Sequence, residues 1–359
     1  MKRALLFAGF LLLALALGSA RPILGAHAAP STQDAPRALV FAPKQGARLA
    51  RTVAITHVLD VASIATGPAT GGELRRAPAD LRIETKLSLA LEDELLALGS
   101  GRVERLRRRF GTGSFHAELG PKAPGTPGAA ARKAVYAVAT PLVGMSVVST
   151  WVPEEQGYGR YYDEGEALEE FLESLREDVD LRALLPAAPV STGAAWTIPA
   201  KELADVFAPC GRLPWAWPKD LDRVMARSFS TGIGGGLGEL FGGSVAGEAK
   251  AKLARFETRD GEELAIVALE LDLHLEREQG EVAPDPGALD ENAQAPSAMA
   301  TRTQWAFRGT GELVWSLGAA RAKSLRIDGD QKIGASVRLG ATRQELELAG
   351  TLALEYGVR

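Results

Sequence analysis

Strict alternation of apolar and polar residues constrains this chain more than any other feature. It is clearest in residues 81–92, where leucine, isoleucine and threonine at odd positions alternate with charged or small residues. Successive side chains of a β-strand point to opposite faces, so one face would pack on a core and the other would meet water. The pattern recurs over residues 265–276 and 345–356. It predicts a protein built mainly from half-buried strands.

Shorter alternating stretches extend this prediction along most of the chain. They cover residues 53–64, 135–150, 249–258, 301–308, 312–316, 323–328 and 332–339. The pairs Asp260-Gly261 and Asp328-Gly329 are typical of tight hairpin turns, because both residue types tolerate a positive φ. Hairpins in series predict a mainly β (α+β) fold, with a curved antiparallel sheet or open barrel and a few central helices on one face.

Helical periodicity is confined to the middle of the chain. In residues 164–176 apolar side chains recur at spacings of three and four, and Asp163 stands where a helix cap is expected. Shorter helices are predicted over residues 201–207 and 219–227. Three stretches rich in Pro, Gly, Ala or acidic residues are predicted as loops, at 66–80, 120–132 and 279–300.

The N-terminus is typical of a signal peptide. Met1, Lys2 and Arg3 precede an apolar run over residues 4–18, and Ala26-His27-Ala28 provides the small residues of a cleavage site. The run is too short for a membrane anchor. We therefore predict a signal peptide over residues 1–28, export to the periplasm or medium, and no transmembrane span afterwards. Residues 29–359 are predicted as one β scaffold, with two halves (about 37–150 and 190–359) joined by a helical segment (151–189) as the alternative.

Charge and cysteine content narrow the classes of partner. The formal charge is −4, and removal of residues 1–28 takes away three basic residues and no acid, which gives −7. This balance argues against nucleic acid as a partner. Cys210 is the single cysteine, so no internal disulfide forms and no lipid is attached next to the signal peptide. The dense run of arginines over residues 102–109 is interpreted as a solvated strand or loop face.

Catalytic and metal-binding patterns are weak. Residues 242–246 approach the nucleophile elbow of serine hydrolases around Ser244, but the last position is alanine. A turn or hinge is the favoured interpretation. The acidic face of residues 270–276 suits a solvated sheet surface as well as a cation, and His57 lies in phase with core positions. We predict no catalytic residue, metal ligand or cofactor.

An apolar ligand is the partner that the strand pattern favours. Long strands with one continuous apolar face need a cover, and the few predicted helices would cover part of that face. The uncovered remainder would be a ligand cavity. Its candidate lining is Trp196, Trp215, Trp217, Ile233, Leu237 and Phe241. For the tryptophans taken one by one, packing in the core is the favoured interpretation and ligand contact is the alternative.

Residues 193–199, 247–273 and 309–315 together resemble exported bacterial β domains of unknown function. More loosely, the chain is similar to the half-barrels of periplasmic lipoprotein carriers. That resemblance implies a strongly curved sheet with one apolar face, helices that plug it, and binding of acyl chains or another apolar ligand. We therefore expect an exported, non-enzymatic protein that binds an apolar ligand (lipid or acyl chain) or an envelope partner. A serine-dependent hydrolase centred on Ser244 and a structural cell-envelope protein are the alternatives.

Overall fold

Thirteen antiparallel strands form one open sheet in the part of the chain that the structure describes. The computed structural model describes residues 35–69, 72–77, 79–99, 102–122, 134–177, 181–216, 245–282, 299–339 and 341–359. Eleven of the strands follow one path, in the order β7-β6-β4-β3-β1-β13-β12-β11-β10-β9-β8, while β2 pairs with β1 and β5 with β4. The fold is mainly β with an unclosed antiparallel sheet, which confirms the predicted class.

The strands of the first half are β1 (Arg48–Pro68), β2 (Arg75–Ala77), β3 (Arg82–Gly99), β4 (Arg102–Gly120), β5 (Ala134–Ala139), β6 (Ser146–Val152) and β7 (Gly157–Glu164). Those of the second half are β8 (Ala195–Ile198), β9 (Val245–Arg259), β10 (Glu262–Val282), β11 (Met299–Ser316), β12 (Arg321–Leu339) and β13 (Thr342–Val358). The two halves share the sheet, because β1 pairs with β13 along nearly its whole length.

Burial follows the alternation seen in the sequence. In β1 every second residue from Leu49 to Val61 is buried, and β10 shows the same pattern from Ala265 to Leu275. These buried positions form the inner face of the sheet. On the outer face of β10, Asp272 pairs with Arg308 and Glu276 with Arg302, both from β11. The inner face is therefore mainly apolar and buried, while much of the outer face is charged and exposed to water.

One of the two predicted turns is wrong. Asp260 and Gly261 do form the tight turn between β9 and β10, with φ of 54° and 78°. Asp328-Gly329 instead lies in the middle of β12, where Gly329 pairs with Gly309 of β11. A Cβ at Gly329 would lie 2.4 Å from the Arg308 carbonyl oxygen and 2.7 Å from the ring of Phe307. Both glycines thus make room for close strands and an aromatic ring. The stretches predicted as four short strands form two long ones.

The helix predicted over residues 164–176 is shorter in the structure, whereas the one predicted over residues 201–207 forms as a 3₁₀ turn followed by a turn of α-helix. The helix expected over residues 164–176 is reduced to one turn, α1 (Glu170–Glu173), and Glu164 belongs to β7. Asp163, the expected cap, forms an ion pair with Arg107 at 2.7 Å. Pairing with Ser146 of β6 takes up Glu164, the first residue of the predicted helix. Other turns are 3₁₀ helices at Arg182–Leu184 and Ala200–Leu203 and an α-helix, α2 (Ala204–Phe207). The predicted helix over 219–227 lies outside the described residues.

A segment with little regular structure lies on the inner face. We call the described residues 165–177, 181–194 and 199–216 the cover. Leu184, Leu203 and Phe207 of the cover are fully buried in the main core cluster, together with inward side chains of the sheet. The Phe207 ring lies 5.7 Å from that of Trp305 and 5.5 Å from that of Phe307. No helix among the described residues is long and apolar enough to cross a membrane.

Candidate functional site

A narrow cleft separates the cover from one end of the inner face. The sheet contributes Arg51, Val53, Leu91, Leu325, Leu354 and Tyr356, and the cover contributes Leu181, Asp205, Val206, Pro209 and Cys210. Most of these side chains are apolar, and the volume of the cleft is about 20 Å³. That volume is enough for a water molecule and too small for a chain. The cleft is therefore nearly closed in this conformation.

Two arginines and one aspartate are buried together beside this cleft, and one of them, Arg51, lines it. Arg51 on β1, Asp93 on β3 and Arg108 on β4 are 2%, 1% and 5% exposed. The Nε atoms of Arg51 and Arg108 each lie 2.8 Å from one oxygen of the Asp93 carboxylate, and the Arg108 Nη2 lies 3.2 Å away. We call these three residues the buried triad. Adjacent strands position it, because Asp93 pairs with Arg108 in the ladder of β3 and β4.

The triad ties the sheet to the cover. The Arg108 Nη1 donates to the Arg176 carbonyl oxygen at 3.0 Å and to the Cys210 Sγ at 3.1 Å. Cys210 and Gly211 both have positive φ, of 66° and 74°, so the backbone turns sharply here. At this turn the Arg176 N–H donates a hydrogen bond to the Cys210 carbonyl oxygen, with an N to O distance of 3.0 Å. One guanidinium thus fixes two remote parts of the cover against the sheet. The guanidinium contact gives buried Cys210 a structural role in the cover.

A third arginine lies beside the triad. Arg51 donates to the hydroxyl of Tyr356, which also lines the cleft. The pKa of Arg321 on β12 is lowered, chiefly by burial and secondly by the positive charge of Arg51. Within the described residues, the Arg321 Nη1 is buried and has no hydrogen-bond partner. Arg51 and Tyr356 therefore line the cleft, and Arg321 lies near Arg51.

Acidic side chains accompany the arginines around the cleft. Asp93 contacts both Arg51 and Arg108 within the triad. Asp205 also lines the cleft, and it pairs with Arg176 of the cover. Glu262 attracts Arg321, and the pKa of Glu262 is itself lowered chiefly by hydrogen bonds from Lys323 and Ser316. Each of these carboxylates therefore interacts with at least one basic side chain.

The predicted ligand-binding residues lie elsewhere or outside the described part. Trp196 on β8 is half-buried, and its Nε1 donates to the Leu184 carbonyl oxygen at 3.1 Å. The Trp215 ring packs 5.8 Å from that of Phe115. Neither tryptophan lines the cleft. The remaining predicted residues lie outside the described residues: Trp217, Ile233, Leu237 and Phe241.

The three histidines of the described ranges lie apart from one another. His57 is buried, and Gln331 donates to its Nδ1 at 2.8 Å. Burial lowers the pKa of His57 to about 4. His116 on β4 and His274 on β10 are exposed on strands six positions apart in the sheet. Ser244 lies outside the described residues. Within the described ranges, no three His, Cys, Asp or Glu side chains are arranged to hold a metal ion.

The residues of the triad were missed, although the sequence carried a signal. Arg51 is in phase with the buried positions of β1, and Asp93 is in phase with those of β3. Both lie just beyond the predicted strands, which began at residue 53 and ended at residue 92. Arg108 was placed on a solvated face with its neighbours, but it is the member of the arginine run that points inward. A charged residue in phase with the buried positions of an alternating strand is the sequence signal that could have predicted the triad.

Comparison with known proteins does not assign the chain to a family. No family model and no curated protein matches the chain. The chain is faintly similar to the crystal structure of the P. putida toluene transporter TodX, with 9% identity and a TM-score of 0.11. That likeness covers 88% of this chain and 91% of the transporter chain. A likeness this low carries no argument about fold or ligand.

Proposed function

We propose that this is an exported, non-enzymatic protein that binds an apolar ligand, a lipid or acyl chain, between the inner face of its sheet and the cover. The observation that carries this proposal is the cleft itself, which lies between apolar side chains of two separate layers. Clefts with apolar walls and a few polar groups are typical ligand sites. The chain would enter where Val53, Leu91 and Leu354 of the sheet face Leu181 and Val206 of the cover.

A lipid or acyl chain is larger than the cleft, so its binding requires the cover to move. The architecture of the cover favours such movement. The cover contains single turns of helix, whereas the strands beneath it are as long as 21 residues. Segments with few cooperative hydrogen bonds open at lower free energy than long ladders do. Positive φ at Gly165, Leu181 and Gly193 marks points where the chain of the cover changes direction. The sheet would therefore remain intact while the cover separates from it.

The test uses the mature protein and a neutral apolar fluorophore, N-phenyl-1-naphthylamine. We expect its fluorescence to rise on binding and to fall again when 1-dodecanol displaces it. Val206→Trp would fill the cleft from the cover side and reduce binding at least tenfold. Native mass spectrometry of protein purified from the producing cells would show a retained lipid mass.

The matched control is Leu168→Trp, because Leu168 also belongs to the cover but is 59% exposed. This variant adds the same side chain away from the cleft and should bind the fluorophore as the unmodified protein does. Failure of the unmodified protein to bind the fluorophore would reject the proposal. Equal loss of binding in both variants would place the binding site somewhere other than the cleft.

A further inference from the structure

Two segments of the cover that are remote in sequence are joined in one hydrogen-bonded unit. We call residues 174–176 and 209–212 the flap. The Arg212 N–H donates to the Ser174 carbonyl oxygen at 2.9 Å, and the Ser174 hydroxyl donates to the Arg212 carbonyl oxygen at 2.8 Å. A further hydrogen bond, from the Arg176 N–H, joins the same two segments. Because these bonds hold the segments side by side, the two would move together.

Gly211 allows the two segments to lie this close. Its φ is 74°, and a Cβ at this position would lie 2.4 Å from the Ser174 carbonyl oxygen and 2.9 Å from the Arg176 Cγ. Both the backbone conformation and the short distances therefore favour glycine here. A side chain at Gly211 would push the two segments of the flap apart.

The flap forms part of the wall of the cleft. Pro209 and Cys210 line the cleft, and both are buried. Phe207, two residues before the flap, is held separately by its packing against two aromatic rings of the sheet. α2 ends between Phe207 and the flap, where Ala208 has a φ of −124° and a ψ of 64°. This geometry allows the flap to rotate about Ala208 while Phe207 stays in the core.

Arg108 connects the flap to the sheet. Its Nη1 lies 3.0 Å from the Arg176 carbonyl oxygen in one segment of the flap and 3.1 Å from the Cys210 Sγ in the other. Its Nε and Nη2 face the Asp93 carboxylate, so the same guanidinium is also held on the side of the sheet. Hydrogen bonds from a charged donor contribute more than those from a neutral donor. One side chain thus contacts both segments of the flap.

We infer that the flap is a gate of the cleft and that Arg108 is the latch of this gate. When both contacts of the Arg108 Nη1 break, the flap moves away from the sheet and the cleft opens at Pro209 and Cys210. The sheet stays intact, because Asp93 keeps its contacts with Arg51 and Arg108. This inference goes beyond the proposed function, since the gate opens whether or not a lipid or acyl chain binds.

Labelling of the Cys210 thiol with monobromobimane measures opening of the gate. Cys210 is the single cysteine of the chain and is 1% exposed, so the reagent reaches the thiol when the structure around it opens. The labelling rate of the folded mature protein, divided by the rate of the same protein unfolded in urea, gives the equilibrium constant for opening. This ratio also removes differences in the reactivity of the reagent.

Low concentrations of urea distinguish the gate from global unfolding. Global unfolding depends steeply on urea because it exposes the whole core, whereas opening of the flap exposes few side chains. We expect the labelling rate of the unmodified protein to depend weakly on urea below the unfolding transition. A dependence as steep as that of global unfolding would overturn the inference, since Cys210 would then be reached by unfolding of the whole chain.

Arg108→Met removes the latch. It should raise the labelling ratio by about tenfold or more, the factor expected for loss of a hydrogen bond from a charged donor, and keep the weak dependence on urea. Arg109→Met is the matched control, because Arg109 is the next residue of β4 and its side chain is exposed. It should label as the unmodified protein does. Equal ratios in the two variants would overturn the inference.

Gly211→Ala tests the flap while Arg108 is kept, so the inference stays falsifiable even when Arg108→Met does not fold. Gly193→Ala is its matched control, because Gly193 also has a positive φ, 88°, and an added Cβ there meets no atom within 4 Å. We expect the labelling ratio to rise in Gly211→Ala and to rise less in Gly193→Ala. Equal ratios would show that the two segments do not act as one unit, which would overturn the inference. No ligand is used, so the outcome is independent of the fluorophore test.

Discussion

Removing the charge of the Asp93 carboxylate tests how much burial increases the contribution of an ion pair to the stability of this sheet. Asp93→Asn keeps the shape of the side chain but leaves Arg51 and Arg108 without their shared counter-charge. Asp60→Asn is the matched change, because Asp60 and Arg82 also pair across β1 and β3 with an Nε to oxygen distance of 2.8 Å. The two pairs differ in burial. Asp93 is 0% exposed in its side chain, and Asp60 is 39% exposed.

The expected magnitudes follow from that difference. Breaking a buried ion pair from one side costs about 3–5 kcal/mol, because the remaining charge stays in a medium that solvates it poorly. Here the remaining charge is carried by two guanidiniums, which also repel each other once Asp93 is neutral. Around Asp60, water replaces the lost partner and screens Arg82, so the change in stability is expected to be small.

Equilibrium urea unfolding of the three proteins at pH 7, followed by tryptophan fluorescence, gives the free energies of unfolding. We expect a large fall in midpoint for Asp93→Asn and a midpoint for Asp60→Asn close to that of the unmodified protein. Asp93→Asn should also weaken the contacts of Arg108 with the cover, which hydrogen exchange at residues 175–211 would detect. Similar midpoints for both variants would refute the reasoning, since burial would then have no influence on the pair.

Three further changes test other parts of the fold. Burial lowers the pKa of His57 to about 4 from 6.5, so its contribution to stability is present above pH 6.5 and is lost as pH falls towards 4. The loss amounts to about 3 kcal/mol, and His57→Gln should flatten the pH dependence of the urea midpoint by that amount. Gly350→Ala would place a Cβ 1.8 Å from the Val58 carbonyl oxygen, whereas Gly334→Ala meets no atom closer than 3.8 Å. The first should cost about 1–3 kcal/mol or more and the second little, as measured by thermal unfolding. Phe207→Ala should cost about 3–5 kcal/mol in urea unfolding, because a ring of the cover is removed from two aromatic neighbours of the sheet.

Strand periodicity was sufficient to predict the class of fold. It failed at places where contacts between residues distant in sequence determine the local structure. The alternation of residues 81–92 continues into β3, and that of residues 265–276 lies within β10. The turn predicted at Asp328-Gly329 is wrong because the same two residues suit both a tight turn and a pair of closely spaced strands. The ring of Phe307 decides between them, and it is distant in sequence. The helix over residues 164–176 failed for a similar reason, since strand pairing with β6 claimed its first residue.

The site was harder to predict than the fold because its residues come from four strands and the cover. No local spacing connects Arg51, Asp93 and Arg108, which the neighbouring strands β1, β3 and β4 bring together. Tryptophans were candidates for ligand contact although core packing was the favoured interpretation, and Trp196 and Trp215 do pack against the core and do not line the cleft. The cleft combines leucines and valines, which fit the alternating pattern, with charged residues at inward positions, which are exceptions to that pattern.

Those exceptions are informative because a buried ion cluster is a poor means of stabilising a sheet. Replacing such a cluster by apolar side chains of similar volume is often neutral or stabilising, although removing one member is costly. Stability alone therefore does not explain why Arg51 and Arg108 occupy inward positions that leucine or valine fill elsewhere on the same strands. The explanation must include something that only cations supply. At this place in the fold Arg108 attaches the cover through the Cys210 sulfur and the Arg176 carbonyl, and Arg51 lines the apolar cleft. Because one guanidinium makes both attachments, opening of the cover would have to break the contacts of Arg108 with Cys210 and with the Arg176 carbonyl together.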